Sequence, residues 1–239
     1  MATLDWRDTS ITFKEPAIGL ATQVVLLGAL YIAVGLGPAA WVAGTTYAVI
    51  LSAILTYALL RSRTRTLGPA GLVTLARAEL VGAVTALVTM SYLGNPTPAA
   101  LLVTLATVAL ILDAVDGHVA RRTGTASPLG ARFDMEVDAF LILVLSIHLA
   151  ATAGPWVLAI GLMRYAFVAA SWTAPWLKSP LPPSMARKTV AALQGILLVT
   201  AASEVLPATT LLLATALATL TWSFTRDILW LYRNRPATP

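Results

Sequence analysis

Eight long apolar runs separated by short breaks constrain this chain more than any other feature. They lie at about Ala17–Gly37, Ala39–Leu60, Leu72–Leu93, Pro98–Arg121, Gly130–Ala153, Trp156–Trp172, Arg187–Ser203 and Pro207–Trp230. Each is long enough for a helix crossing a hydrocarbon core of about 30 Å. The breaks carry Gly37–Pro38, Gly94–Pro98, Gly154–Pro155 and Pro207, residues that stop helices. Of the 239 residues 58% are apolar and 11% charged, against about 45–50% and about 25% in soluble domains. The fold class expected is therefore all-α: a polytopic helical membrane protein with about eight transmembrane helices. Soluble enzyme, coiled coil and disorder are excluded, and continuous runs argue against a β-barrel, whose strands alternate. The chain has no cysteine, which removes disulfides, Cys-ligated zinc or iron–sulfur sites and thiol catalysis.

The basic residues fall on alternate breaks. Arg61, Arg63 and Arg65 follow the second run, Arg121, Arg122 and Arg132 flank the break after the fourth, and Lys178, Arg187 and Lys188 flank the break after the sixth. Arg226, Arg233 and Arg235 close the chain, while the other breaks hold no Lys or Arg. By the positive-inside rule both termini and the basic loops are expected in the cytoplasm of a cell whose plasma or inner membrane holds the chain. The net charge of +5 then reports topology and lipid contact, with no nucleic-acid partner expected. Residues 1–16 read as an acidic, Trp-containing interfacial segment, without the basic start of a signal peptide. The Arg-rich break with Gly68–Pro69 divides the rest into an N-terminal helix pair, 17–66, and a six-helix unit, 67–235.

Five of the eleven acidic residues fall in one stretch. Asp113 and Asp116 stand three apart, with Gly117 next, on the fourth run; Gly130, Asp134 and Asp138 step by four along the fifth. These spacings put each set on one helix face, and the short basic loop between them lets four carboxylates converge at the cytoplasmic end of the membrane. Charges there are costly, about 2.5–3.5 kcal/mol each on an insertion scale, so positive charge must sit among them. Arg121, Arg122 and Arg132 supply part of it. Carboxylates without His or Cys select hard cations, so Mg²⁺ or Mn²⁺ is expected, and two such ions suit phosphoryl displacement. Gly117 and Gly130, lacking side chains, let a phosphate or nucleotide approach the backbone beside the ions.

The pattern Asp113-x-x-Asp116-Gly117-x-x-Ala120-Arg121, then Gly130-x-x-x-Asp134-x-x-x-Asp138 after eight residues, resembles the signature of the CDP-alcohol phosphotransferases, membrane enzymes of phospholipid synthesis. The resemblance covers about Gly68 to Arg235. Pro69, Thr74 and Arg77 are similar to the family's opening Pro-x-x-x-Thr-x-x-Arg element, one residue longer here. Lys188, Thr189 and Gln194 resemble, at a different spacing, a Lys-Thr…Gln stretch of relatives that make phosphatidylglycerophosphate. The resemblance implies displacement at the β-phosphate of a CDP-linked donor with release of CMP. Asp113, Asp116, Asp134 and Asp138 would hold two divalent cations, and Asp138 would take the proton of the attacking hydroxyl. Thr74, Gly117, Ala120, Arg121, Ser127 and Gly130 would seat the donor. Arg164, a lone charge midway along the sixth run, is a candidate for the acceptor together with Arg132 and Lys188. The implied partners are CDP-diacylglycerol or another CDP-alcohol, a small alcohol or lipid acceptor, membrane lipid, and a second copy of the chain in a homodimer.

The remaining charges carry structural readings. Glu79 is expected to pair with Arg77 or Arg164, or to touch substrate. Glu136 lies off the aspartate face and His118 at the interface; His148 and Glu204 lie toward the outer side. Trp6, Trp172, Trp176, Trp222 and Trp230 mark run ends as an aromatic belt. Two rival functions share intramembrane carboxylates: an ion- or proton-coupled transporter, and an aspartate- and Mg²⁺-dependent prenyltransferase. The transporter is disfavoured because the acids lie at the cytoplasmic end, the prenyltransferase because all four aspartates sit in one helical hairpin.

Overall fold

A computed structural model describes residues 14–62, 66–123 and 127–235, with the side chains of 116, 118–121 and 123 outside that description. The described residues are all-helical, 87% helix with no strand. Eight α-helices follow in order: α1 (Lys14–Val34), α2 (Pro38–Ser62), α3 (Gly68–Tyr92), α4 (Ala99–Thr123), α5 (Pro128–Ala153), α6 (Leu158–Thr173), α7 (Met185–Ala202) and α8 (Thr209–Arg233). Short 3₁₀ turns precede α6 (Pro155–Val157) and follow it (Pro175–Lys178). Five segments are long and apolar enough to cross a membrane by length and composition alone: α1, α2, α3, α5 and Pro155–Thr173. In α4, α7 and α8 the apolar stretch is broken by charges such as Asp113, Arg187 and Asp227. The chain is a multi-pass membrane protein.

Backbone packing separates two compact units, Met1–Leu141 and Ile142–Pro239, with the boundary inside α5. In the first unit α3 is the hub, touched by α1, α2 and α4. Of its most apolar stretch 72% is buried, against 22% in α1 and in α2. A helix buried on all sides needs no polar face, and α3 is lined all round by small and branched apolar residues such as Ala78, Val81, Val84 and Leu87. Its outward neighbours instead expose Ile18, Val25, Ile32 and Ile54, surface that suits contact with lipid tails. Tyr47 of α2 stacks on Phe140 of α5 with ring centroids 5.0 Å apart.

Helix ends follow from local chemistry. α3 starts four residues before the apolar run because Gly68–Pro69 opens the helix, where a missing proline N–H costs nothing. It stops in a Schellman motif: Gly94 takes φ +75°, its N–H donates to the Ser91 carbonyl at 3.0 Å, and the Asn95 N–H donates to that of Met90 at 3.2 Å.

In the second unit α7 and α8 pack together, joined by Gln194, whose amide donates to the Ala216 carbonyl at 2.9 Å. Gly161 of α6 lies against the α5 backbone, where an added Cβ would come 2.6 Å from Leu143 Cα. Ser184 caps α7, accepting from the Arg187 N–H. The Arg187 guanidinium pairs with Asp227 at 3.0 Å, and Arg226 pairs with the same carboxylate at 2.9 Å.

Candidate active site

Three helices of the first unit build one polar group. α3 contributes Arg77, one turn after Thr74; α4 contributes Asp113; the first three turns of α5 contribute Asp134 and Asp138. Arg77 is fully buried, with 0% exposure. Its Nη1 donates to Asp113 and its Nη2 to the Asp134 carboxylate. Nη2 also reaches the Asp134 carbonyl at 3.2 Å and Asp138 Oδ1 at 3.1 Å. The planar, permanently charged guanidinium fork suits several carboxylates at once. The three carboxylates are half-buried, with side chains 34–41% exposed, and Arg77 holds one oxygen of each.

One oxygen from each of Asp113, Asp134 and Asp138 falls within 4.8 Å of the others. Oxygens sharing one Mg²⁺ at about 2.1 Å lie at most about 4.2 Å apart, so small rotations suffice to close the set on an ion. The donor chemistry fits too: an all-carboxylate set excludes soft metals. Arg77 offsets one of the three charges, and a divalent cation would offset the other two. The Asp116 side chain, which the spacing adds to this group, lies outside the described residues, as do those of Ala120, Arg121 and His118.

Ser127 and Gly130 stand at the start of α5. The Gly130 N–H donates to Ser127 Oγ at 3.0 Å, so Ser127 is the helix N-cap, with Pro128 in the first helical position. A Cβ on Gly130 would come 3.1 Å from that Oγ and crowd the cap. Thr74 is buried, and its hydroxyl donates to the Ala70 carbonyl at 3.2 Å. Gly117 is half-buried on α4 and Arg132 is exposed on α5. Arg164, half-buried on α6, and Lys188, exposed on α7, belong to the second unit.

The structure differs from the sequence expectation for Glu79. Arg77 turns to the aspartates, and Glu79, two residues on and therefore on another face of α3, meets Gln23 of α1. The part played by Arg77 was the main residue missed; the available signal was an arginine deep in an apolar run, one turn from Thr74.

A multi-pass helical membrane protein that gathers carboxylates able to hold a divalent cation defines the class. Within it, the CDP-alcohol phosphatidyltransferase family model matches residues 67–225, two thirds of the chain, and the chain belongs to that family. It is thus a transferase of the kind that moves a phosphatidyl group from a CDP-alcohol in phospholipid synthesis. No curated protein and no solved structure matches it.

Proposed function

We propose that the chain transfers the phosphatidyl group of CDP-diacylglycerol to an alcohol hydroxyl and releases CMP. The observation that carries this reading is the convergence of Asp113, Asp134 and Asp138 within 4.8 Å at the positions where the family's signature has its aspartates. Asp113, Asp116, Asp134 and Asp138 would hold two divalent cations, Mg²⁺ or Mn²⁺. Bound there, they would draw charge from the diphosphate and make its phosphorus more electrophilic.

The chain's residues do the rest. Arg77 fixes the carboxylates in one arrangement, so no reorganisation is needed at the moment of reaction. Gly117 and Gly130 would leave room for the donor beside them, Thr74, Ala120 and Arg121 would seat it, and Ser127 fixes the start of α5. Asp138 stands one turn further along α5 than Asp134 and takes the proton of the attacking hydroxyl as its oxygen bonds to the β-phosphorus. The bond from that phosphorus to the oxygen of CMP breaks, and CMP leaves. The proton need move only as the new bond forms, so a weakly basic carboxylate is adequate, and such assistance is typically worth about 10²–10⁴-fold.

Membranes containing the protein, incubated with labelled CDP-diacylglycerol, Mn²⁺ or Mg²⁺ and a panel of alcohols (inositol, inositol phosphate, glycerol phosphate, serine), are expected to yield CMP and a new labelled lipid with one of them. No CMP with any alcohol, although the donor binds, would overturn the reading.

A further inference from the structure

Outside the aspartate group, the most unusual feature of the first unit is a second buried polar contact, between α1 and α3. Gln23 is 0% and Glu79 2% exposed, both within helices apolar enough to span a membrane. With its amide nitrogen turned toward these acceptors, Gln23 donates to Glu79 Oε2 at 2.7 Å and to the Glu79 carbonyl oxygen at 2.9 Å. The opposite orientation would set oxygen against oxygen, and amide orientation follows the hydrogen bonds.

The helices are shaped around this contact. A Cβ on Gly82 of α3 would come 2.6 Å from the Gln23 amide, and one on Gly19 of α1 would come 2.8 Å from the Glu79 carboxyl. Each helix thus opposes a glycine to the other's polar side chain, allowing the close approach that small residues give membrane helices. A second polar contact lies nearer the helix starts, where the Leu67 N–H, at the N-terminus of α3, donates to Glu15 Oε2 of α1 at 2.8 Å. A carboxylate is favoured at that end of a helix dipole. The two contacts are twelve residues apart along α3, about 18 Å of axis, and Thr74 and Arg77 lie between them on the chain.

We infer that Gln23 and Glu79, with Glu15, are positioning residues for the transfer site: α1, outside the family-matched residues 67–225, splints α3 and sets the depth at which Arg77 meets Asp113, Asp134 and Asp138. The inference rests on the reading of those aspartates as the transfer site. A carboxyl at membrane depth is costly and points to a functional position, and the hydrogen bonds Glu79 takes from Gln23 also hold the two helices together. A directional bond fixes axial register, which apolar contacts leave free to slide.

The test compares Gln23→Leu, the milder Gln23→Asn, whose shorter side chain retracts the amide, and the conservative Glu79→Gln, which still offers Gln23 an acceptor. Mn²⁺ binding to the purified protein in detergent is followed by electron paramagnetic resonance, beside kcat, KM for CDP-diacylglycerol and the melting temperature. Gln23→Leu and Gln23→Asn are expected to weaken Mn²⁺ binding about tenfold and to lower kcat about ten- to a hundredfold, with KM for the donor changed far less. Glu79→Gln is expected to keep both within about threefold. Simple loss of stability would reduce the active fraction and leave Mn²⁺ affinity per folded molecule unchanged; that result in Gln23→Asn, or wild-type values in either Gln23 variant that folds, overturns the inference. If no Gln23 variant folds, Glu15→Ala decides by the same measurements, since it removes the other contact from a half-buried site at the helix ends. A wild-type protein that binds Mn²⁺ but transfers nothing contradicts the transferase reading instead.

Discussion

Replacing Arg77 by methionine should destabilise the metal-free protein, and by an amount the site itself sets. The guanidinium is buried and contacts three carboxylates from two helices; methionine keeps much of the length and none of the charge. Breaking a buried ion pair by removing one partner typically costs about 3–5 kcal/mol. Because the carboxylates are a third or more exposed, water screens them in the variant, and the lower end, about 3 kcal/mol, applies. For a chain of this size about 1 kcal/mol moves Tm by about 2–4 °C, so Arg77→Met should melt about 6–12 °C below wild type in detergent with EDTA. Mn²⁺ at a hundred times its Kd adds about 2.7 kcal/mol to a protein that binds it only when folded. The variant should gain less than wild type, because without the guanidinium the carboxylates are no longer fixed in one arrangement to receive the ion, so the gap should widen with Mn²⁺. Arg77→Lys, which keeps the charge but loses the fork, should fall between. Thermal unfolding by intrinsic fluorescence measures all of this. Equal melting of Arg77→Met and wild type in EDTA, or a gap that Mn²⁺ leaves untouched, would refute the reasoning.

Other outcomes follow from the same geometry. Cysteines introduced singly at Ser62 and Asn95 of this cysteine-free chain should react with impermeant thiol reagents from opposite sides of the membrane; reaction from one side removes the proposed orientation. Asp138→Asn should lose turnover by about 10²–10⁴-fold while keeping most of its affinity for the CDP donor in calorimetry with Mg²⁺, whereas Asp113→Asn should lose donor affinity as well. If both lose it equally, Asp138 is chiefly a cation ligand. Ser127→Ala should cost about 1 kcal/mol through loss of the α5 cap, seen as a lower Tm; an unchanged Tm would mean that the cap contributes nothing.

The helices were legible because each apolar run is long and the breaks carry glycine or proline. Errors were confined to ends: Gly68–Pro69 reads as a break, yet proline belongs in a first helical turn. Asp113, Asp134 and Asp138 come together, and their meeting was legible because a step of four residues puts side chains on one helix face and only a short stretch of sequence separates the two helices. Arg77 was not placed, since its partners lie 36 and 57 residues away, and no local period sets such distances. Gln23 left even less trace, one amide among apolar residues, and only the approach of α1 to α3 gives it a partner. Nor does the sequence say what the N-terminal pair touches; the structure packs both its helices on α3.

The account stands on phosphoryl transfer from a CDP-linked donor to an alcohol, and the fate of the acceptor's oxygen tests that most directly. With the alcohol that proves active, labelled with ¹⁸O at its hydroxyl, mass spectrometry of the products should find the label in the new phosphodiester and none in the released nucleotide, which should be CMP. Release of CDP, or a product in which carbon has been transferred to the alcohol and the diphosphate left intact, would contradict it.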